Sequence, residues 1–382
     1  MLKQSKEERL LMTPVDPNNI QALVAEVEKQ YKEKLIHAGS ESQRIPRIPF
    51  TSLELNIATG GGVPLGRISR HFGNYSSGKT LNCLNLIKNA QNLNLIAEQY
   101  LESEYDVVKR RGEDLLTRFP NGLECAYYNV EKVWDKEHAK NVGVDTDRVF
   151  VVEGSKIEPM GTILEAALGS IHLHVIDSVS AAASVDELDS EIEDWHRAIK
   201  ARVWSKVLDH WQEHIDHTDN AIVLIDQVRI DQMTGAQMAP GGEKLEHASS
   251  QTIHFKRGKW LYDRGGVLKA EAPQKDDTIH GGAEADGYEV IASVRKSRVG
   301  RPFRKARLQI RLNPGPTRFD QEYELPKAAS WFNIVEKNGS WFTLPSGEKV
   351  QGENGLLQAL NEDVDLKKQV LDATEKHIYE NP

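Results

Sequence analysis

Short apolar runs recur through the middle of the chain, each closed by polar or turn-forming residues. Four of them, Ala126–Asn129, Val149–Val152, Leu173–Ile176 and Ala221–Ile225, read as strands buried on both faces, and Arg67–Phe72 reads as a fifth strand. Segments with helical spacing lie between them. Leu81, Leu84 and Ile87 mark a helix over Leu81–Asn89. Ile199, Val203, Val207 and Trp211, widened by Trp204 and Leu208, mark a longer one. The stretch Leu93–Gly122 has a helical pattern with Leu101, Tyr105, Val108 and Leu115 as its buried positions. Strands alternating with helices predict an α/β domain on a mostly parallel sheet.

The flanks differ from this centre. Near the N-terminus, Ile20–Leu35 places Leu23, Val24, Val27, Tyr31 and Leu35 on one narrow stripe, with Asn18 or Asn19 as N-cap. Such a helix either packs on its own core or docks on a neighbouring subunit, and periodicity leaves both open. Beyond Gln227, the Gly- and Met-containing stretch Val228–Gly242 predicts a mobile loop. Thr252–Tyr262 and Tyr288–Val294 then read as antiparallel strands around an exposed excursion, Asp263–Gly287. Past Asn313 the composition shifts. Trp331–Phe342 predicts aromatic strands turning at Asn338-Gly339, and Leu356–Tyr379 predicts two short helices. The expected division is a leader over 1–47, an α/β core over 48–312 and a small α+β domain over 313–382.

One stretch carries specific chemistry. Gly73-Asn74-Tyr75-Ser76-Ser77-Gly78-Lys79-Thr80 has the spacing G-x4-G-K-T of a phosphate-binding loop, set between a strand and a helix. The glycines let successive backbone N–H groups turn toward one anion. Lys79 supplies a point charge for the β- and γ-phosphates, and the Thr80 hydroxyl suits a magnesium ion bridging them. Ligands of open parallel sheets sit at the carboxyl ends of the strands, and there this sequence places Glu131, Asp177, Asp226 and Gln227. Asp177 fits an acidic residue holding magnesium through water. Glu131 is placed either to polarise a water as general base or as a surface carboxylate. His172 and His174 read as packing or hydrogen-bonding residues.

Composition adds limits. A formal net charge of −9, with 39% hydrophobic and 27% charged residues, describes an ordinary soluble protein that does not advertise nucleic-acid binding. Yet Ser293–Arg311 holds eight basic side chains and no acidic one, so a local anion site is compatible with the acidic total. Cys83 and Cys125 read as reduced, buried thiols. No apolar run reaches membrane-spanning length, and the charged N-terminus has no signal-peptide core, which together predict a cytoplasmic protein without membrane partners.

With these residues assembled, the chain resembles the RecA family of ATP-dependent DNA strand-exchange proteins, as a divergent member of the kind that phages encode. The resemblance runs from about residue 20 to residue 376. It is carried by EVEKQYKEKLIHAG, by IPFTSLELNIATGGGVPLGRISRHFGNYSSGKT, by CAYYNVEKVWDKEHAKNVGVD, by HVIDSVSAA, by LIDQVR and by ASWFNIVEKNGSWFTLPSGEKVQGENG. It implies a RecA-like ATPase core with an N-terminal packing helix and a small α+β C-terminal domain. It makes Glu131 the water-activating base and Gln227 the γ-phosphate sensor. Asp135 and His138 fall by the adenine. Lys296 and Arg298 fall where family members reach the neighbouring protomer's ATP, so that assembly and nucleotide binding become one equilibrium. Two loops, Asp189–His196 and Ile230–Gly242, fall on the DNA-binding loops, with Ile192, Trp195, Arg197, Arg202, Arg229, Met233, Gly241 and Gly242 as DNA contacts. Asp226 stands where the family usually has asparagine, His138 and His247 stand where it has aromatic residues, and the stretch Leu93–Gly122 is longer than usual.

The resemblance implies a DNA recombinase and DNA-dependent ATPase. With ATP and Mg²⁺ it would form a helical homo-oligomeric filament on single-stranded DNA and pair that strand with homologous double-stranded DNA. DNA repair, the response to DNA damage and the SOS response are the settings implied, with single-strand-binding and loader proteins as further partners. Two alternatives share the core. A hexameric DNA helicase would lack the N-terminal helix and C-terminal domain. A non-catalytic ATP-binding mediator would not need Lys79, Thr80, Glu131 and Asp177 intact.

Overall fold

The computed structural model describes residues 45–92, 119–185, 193–215, 219–230, 237–238, 242–264, 266–270, 285–312 and 315–380, with helical positions at 29, 101, 113 and 116–117. The N-terminal helix over Ile20–Leu35 and most of the 93–118 stretch lie outside them. So do Ile192, Met233, Gly241 and the side chains of Trp195, Arg197 and Arg229. Residues Ile45–Pro382 form one compact unit.

In chain order its elements are β1 (Arg47–Ile48), α1 (Leu53–Thr59), β2 (Val63–Pro64), β3 (Arg67–Gly73), α2 (Lys79–Gln91), β4 (Cys125–Asn129), α3 (Lys136–Val142), β5 (Val149–Glu153), α4 (Ile157–Ala167), β6 (Leu173–Asp177) and α5 (Glu193–Ile215). They continue with β7 (Ala221–Gln227), β8 (Arg229–Ile230), β9 (Gln237–Met238), α6 (Gly242–Ala248), β10 (Gln251–Arg264), β11 (Val267–Ala270), β12 (Gly287–Ser297), β13 (Lys305–Arg311) and β14 (Arg318–Phe319). The C-terminal part holds α7 (Gln321–Trp331), β15 (Glu336–Asn338), β16 (Trp341–Thr343), β17 (Lys349–Gln351), α8 (Gly352–Glu362) and α9 (Val364–Glu380).

The large sheet has the order β14-β13-β12-β10-β3-β7-β6-β4-β5, with β11 paired to β10. From β10 to β5 neighbouring strands are parallel, and β12, β13 and β14 extend the sheet antiparallel. The protein is therefore an α/β fold on a mostly parallel sheet with a small antiparallel sheet at its C-terminal end. Strand side chains alternate between faces, and the apolar runs sort accordingly. Tyr127, Leu173, Val175, Val223 and Ile225 join one core cluster with α2, whereas Tyr128, Ile176, Ile222 and Leu224 join another with Trp204, Leu208 and Trp211 of α5. A third cluster fills the C-terminal part, and α1 bridges it to the sheet: Leu53 packs there while Leu55 and Ala58 face the first cluster.

Several expectations need correction. Val149–Val152 is not a doubly buried strand: among the described residues β5 pairs only with β4, and Phe150 is 55% exposed at this edge. The deepest stripe of α5 is Trp204, Leu208, Trp211 and Ile215, with Val203 and Val207 flanking it. Leu101, expected to be buried, is exposed. Within the Asp263–Gly287 excursion, β11 folds back on β10 with Leu261 opposite Ala270. Part of the Val228–Gly242 loop is likewise ordered, as β8 pairs with β9. Trp331 ends a helix; the aromatic hairpin starts only at Glu336, with Asn338 opposite Trp341.

Candidate active site

The carboxyl ends of β3, β7, β6 and β4 are adjacent in the sheet, so residues distant in sequence meet there. An open cavity of about 270 Å³ lies at this edge. It is lined by Tyr75 to Leu81, Glu131, His138, Asp177, Ser178, Ile225, Gln227, Tyr288 and Thr317.

The loop from Gly73 to Lys79 joins β3 to α2. Gly73 has no room for a side chain, because a Cβ there would stand 2.1 Å from the Phe255 carbonyl oxygen of β10. Gly78 sits at φ 80°, in the left-handed region that favours glycine, and starts α2 without a side-chain cap. The first backbone N–H groups of the helix thus have no side-chain acceptor, and its positive end marks the loop as an anion site. Lys79 is buried within the loop, its ammonium donating to the carbonyls of Gly73 and Asn74 at 2.8 Å each. Burial lowers the Lys79 pKa from its ordinary value, and Asp177 and Glu131 oppose that shift.

Thr80 donates to Asp177 at 3.0 Å, and Tyr127 donates to the same carboxylate oxygen at 2.6 Å. Burial pushes the Asp177 carboxyl up, while the two hydroxyls hold it down. The peptide bond to Ser178 is cis. Glu131 accepts from the Ser178 hydroxyl and, at 3.0 Å, from the Gln227 side-chain amide, whose oxygen in turn accepts from Tyr75 at 2.7 Å. A carboxylate, a primary amide and a phosphate loop therefore share one cavity wall. Asp226 and Arg70 form a buried ion pair one residue from Gln227. The extra charge at position 226 is thus balanced from within the chain. Burial raises the Asp226 pKa, and Arg70 opposes it.

The structure brings together the phosphate loop with Lys79 and Thr80, Glu131, His138, Asp177 and Gln227. It sets others apart. Asp135 is not among the cavity's lining residues; its carboxylate caps α3, accepting from the backbone of Glu137 and His138. Lys296 ends near the carboxyl end of α6, donating to the carbonyls of Glu246 and His247, and Arg298 is exposed beyond β12. Neither lines the cavity of its own chain. Arg202 is exposed on α5, and Gly242 begins α6. The acid-free basic run is partly neutralised from outside itself, because Arg307 pairs with Glu289 and Arg311 with Asp263 and Asp320.

Sequence reasoning missed Tyr127, Ser178, Tyr288, Thr317 and Arg70. For Tyr288 and Thr317 no local signal exists, since long-range pairing brings them in. Arg70 did carry a signal: a charged residue inside a buried strand needs a partner.

Comparison with known proteins bears on the same residues. The family model for the RecA N-terminal domain matches residues 18–115 and 117–316, most of the chain. Protein RecA 2 of Myxococcus xanthus is 29% identical over 362 residues, covering 92% of this chain and 87% of that protein. Protein RecA of Acidothermus cellulolyticus is 29% identical over 365 residues, covering 94% and 90%. Protein RecA of Mannheimia haemolytica is 26% identical over 395 residues, covering 100% and 94%. The match spans the strand–loop–helix unit and the strand ends around it, and with it the chain belongs to the RecA family of DNA-dependent ATPases that carry out homologous recombination.

Proposed function

We propose that the cavity at the sheet edge binds ATP with a divalent metal and hydrolyses it, and that Glu131 and Gln227 act at the γ-phosphate. The observation that supports this most directly is the Gln227–Glu131 hydrogen bond beside the phosphate loop. In this reading the loop N–H groups and Lys79 hold the β- and γ-phosphates. Glu131 takes the proton of the attacking water, and Gln227 bonds the γ-phosphate and so senses its presence. Breaking the Gln227–Glu131 bond to reach the phosphate would free the carboxylate for water. His138 lines the cavity where a base would stack. In this reading Asp135, whose one carboxylate oxygen caps α3, would meet the adenine with its other oxygen.

The Thr80 hydroxyl and the Asp177 carboxylate, 3.0 Å apart, are hard oxygen donors beside the phosphate loop and fit a magnesium ion, Asp177 through water. When bound, such an ion neutralises charge that develops on the phosphates.

Lys296 and Arg298 belong in this reading to the neighbouring protomer's site, which agrees with their absence from the lining of their own. The segments around α5 and β8–β9 would grip single-stranded DNA, through Arg202, Gly242 and the other DNA contacts that the resemblance implies. The division at residues 47 and 312 separates, in the same reading, an oligomerisation segment, the ATPase core and the C-terminal domain. Among the described residues no helix is long and apolar enough to cross a membrane, and we place the protein in the cytoplasm, where single-strand-binding and loader proteins would meet it.

A strand-exchange assay tests the reading. Circular single strands, ATP and magnesium should yield joint molecules with homologous linear duplex and none with heterologous duplex. Equal yields with both duplexes, or product without nucleotide, would contradict it.

A further inference from the structure

Successive residues of a strand point to opposite faces, and at the end of β7 this separates Asp226 from Gln227. Gln227 reaches the phosphate-loop side, where it bonds Tyr75 and Glu131. Asp226 turns to the other face, and there Arg70 of the neighbouring strand β3 meets it; both side chains are 1% exposed. The Asp226 carboxylate also accepts from the backbone N–H of Gln227 at 3.0 Å and from the Ser180 hydroxyl. Ser180 lies 3.1 Å from the Ser178 hydroxyl, which donates to Glu131. Each hydroxyl has one proton, which Ser178 gives to Glu131 and Ser180 to Asp226, so the two serine oxygens meet by contact, and Asp226, Gln227, Glu131, Ser178 and Ser180 close a ring of touching polar groups through the sheet edge. Lys200 of α5 attaches to it by donating to the Ser180 carbonyl at 2.6 Å.

Stability gives little reason for such a pair, since buried ion pairs are often matched or bettered by apolar residues of similar volume. Its place gives a better one. Two of the ring's five members, Glu131 and Gln227, are the groups assigned to the γ-phosphate. A misplacement of about 1 Å at such groups can cost about 10²-fold in rate. Asp226 reaches both, Gln227 through a hydrogen bond from its backbone N–H and Glu131 through the contact of two serine hydroxyls, each bonded to one of the two carboxylates.

We propose that Arg70 is a positioning residue for ATP hydrolysis: by fixing Asp226 it sets the geometry of Gln227 and Glu131 without touching the nucleotide. The proposal rests on the γ-phosphate roles of those two residues, and the test separates the two claims.

Turnover is measured on full-length protein with single-stranded DNA across ATP concentrations, beside thermal melting. Asp226→Asn keeps the shape and removes the carboxylate that pairs with Arg70, and it should lower kcat about tenfold with KM within about twofold. Arg70→Gln/Asp226→Asn restores a neutral, hydrogen-bonded pair and should recover kcat to within about threefold of wild type. Ser180→Ala leaves no stranded charge and is expected to fold. It opens the ring and should lower kcat about threefold with KM unchanged. A purely structural role would lower the melting temperature of Asp226→Asn without changing kcat per folded molecule. The inference is overturned if Gln227→Ala loses turnover while Asp226→Asn and Ser180→Ala keep wild-type kcat. If Gln227→Ala itself turns over at the wild-type rate, the γ-phosphate reading fails first.

Discussion

Replacement of Glu131 by glutamine separates the shape of the site from its chemistry. In the structure the carboxylate is an acceptor for two donors, the Gln227 amide at 3.0 Å and the Ser178 hydroxyl. A glutamine oxygen accepts both, so the cavity wall and the position of Gln227 should persist. What is lost is the capacity to take a proton from water. General-base catalysis contributes about 10²–10⁴-fold, or roughly 3–5 kcal/mol of barrier. Steady-state ATP turnover on single-stranded DNA should therefore show kcat lowered by about 10²–10⁴-fold, with KM within about threefold because ground-state contacts are kept. Electron microscopy with ATP should still show filaments. Glu131→Ala is the useful contrast, since it also strands the Gln227 amide and should disturb KM. Wild-type kcat in Glu131→Gln, or loss of filaments together with turnover, would refute the assignment of this carboxylate as base.

Two other substitutions probe the frame around the site. Gly73→Ala must move the loop or β10, because its Cβ would lie 2.1 Å from the Phe255 oxygen where ordinary contact begins at 3.4 Å. A displacement of about 1 Å should cost about 10²-fold in kcat/KM for ATP, and a variant with wild-type kcat/KM would contradict the close approach of β10 to the loop. Glu324, wholly buried where α7 meets α1, accepts from the Ser52 hydroxyl and the Glu54 backbone, and burial raises its pKa to about 8. A carboxyl raised on folding binds its proton more tightly folded than unfolded, so wild type loses stability as pH climbs from about 4.5 through about 8 and levels off above. Glu324→Gln lacks that slope. The difference in melting temperature should move in favour of the variant across this window, and parallel profiles would count against a protonated Glu324.

Legibility in the sequence followed the range of the interactions involved. The phosphate loop is local chemistry, and its glycines, Lys79 and Thr80 could be read directly. Asp177 and Gln227 were also legible, because each ends an apolar run and parallel sheets gather such ends. Edge and centre were not distinguishable: Val149–Val152 has the same apolar pattern as Leu173–Ile176, and only pairing leaves Phe150 exposed. Trp331 read as a strand residue because aromatic composition favours strands, whereas tertiary packing places it at the end of a helix whose Ala328 and Ala329 face the C-terminal cluster. The ring around Asp226 was hidden for a third reason. Its members come from three strand ends, and the one clue was Arg70 within RISRHF.

The central claim is that each ATP is shared by two copies of this chain, and mixing two inactive variants tests it most directly. Glu131→Gln keeps Lys296 and Arg298 but lacks the base, and Lys296→Ala/Arg298→Ala keeps the base but lacks the reaching cations. Each alone should turn over ATP near background on single-stranded DNA. Mixed in equal amounts at random, about a quarter of the interfaces carry both intact halves, so turnover should rise to about a quarter of wild type. Turnover in the mixture no greater than the mean of the separate variants would contradict a shared site.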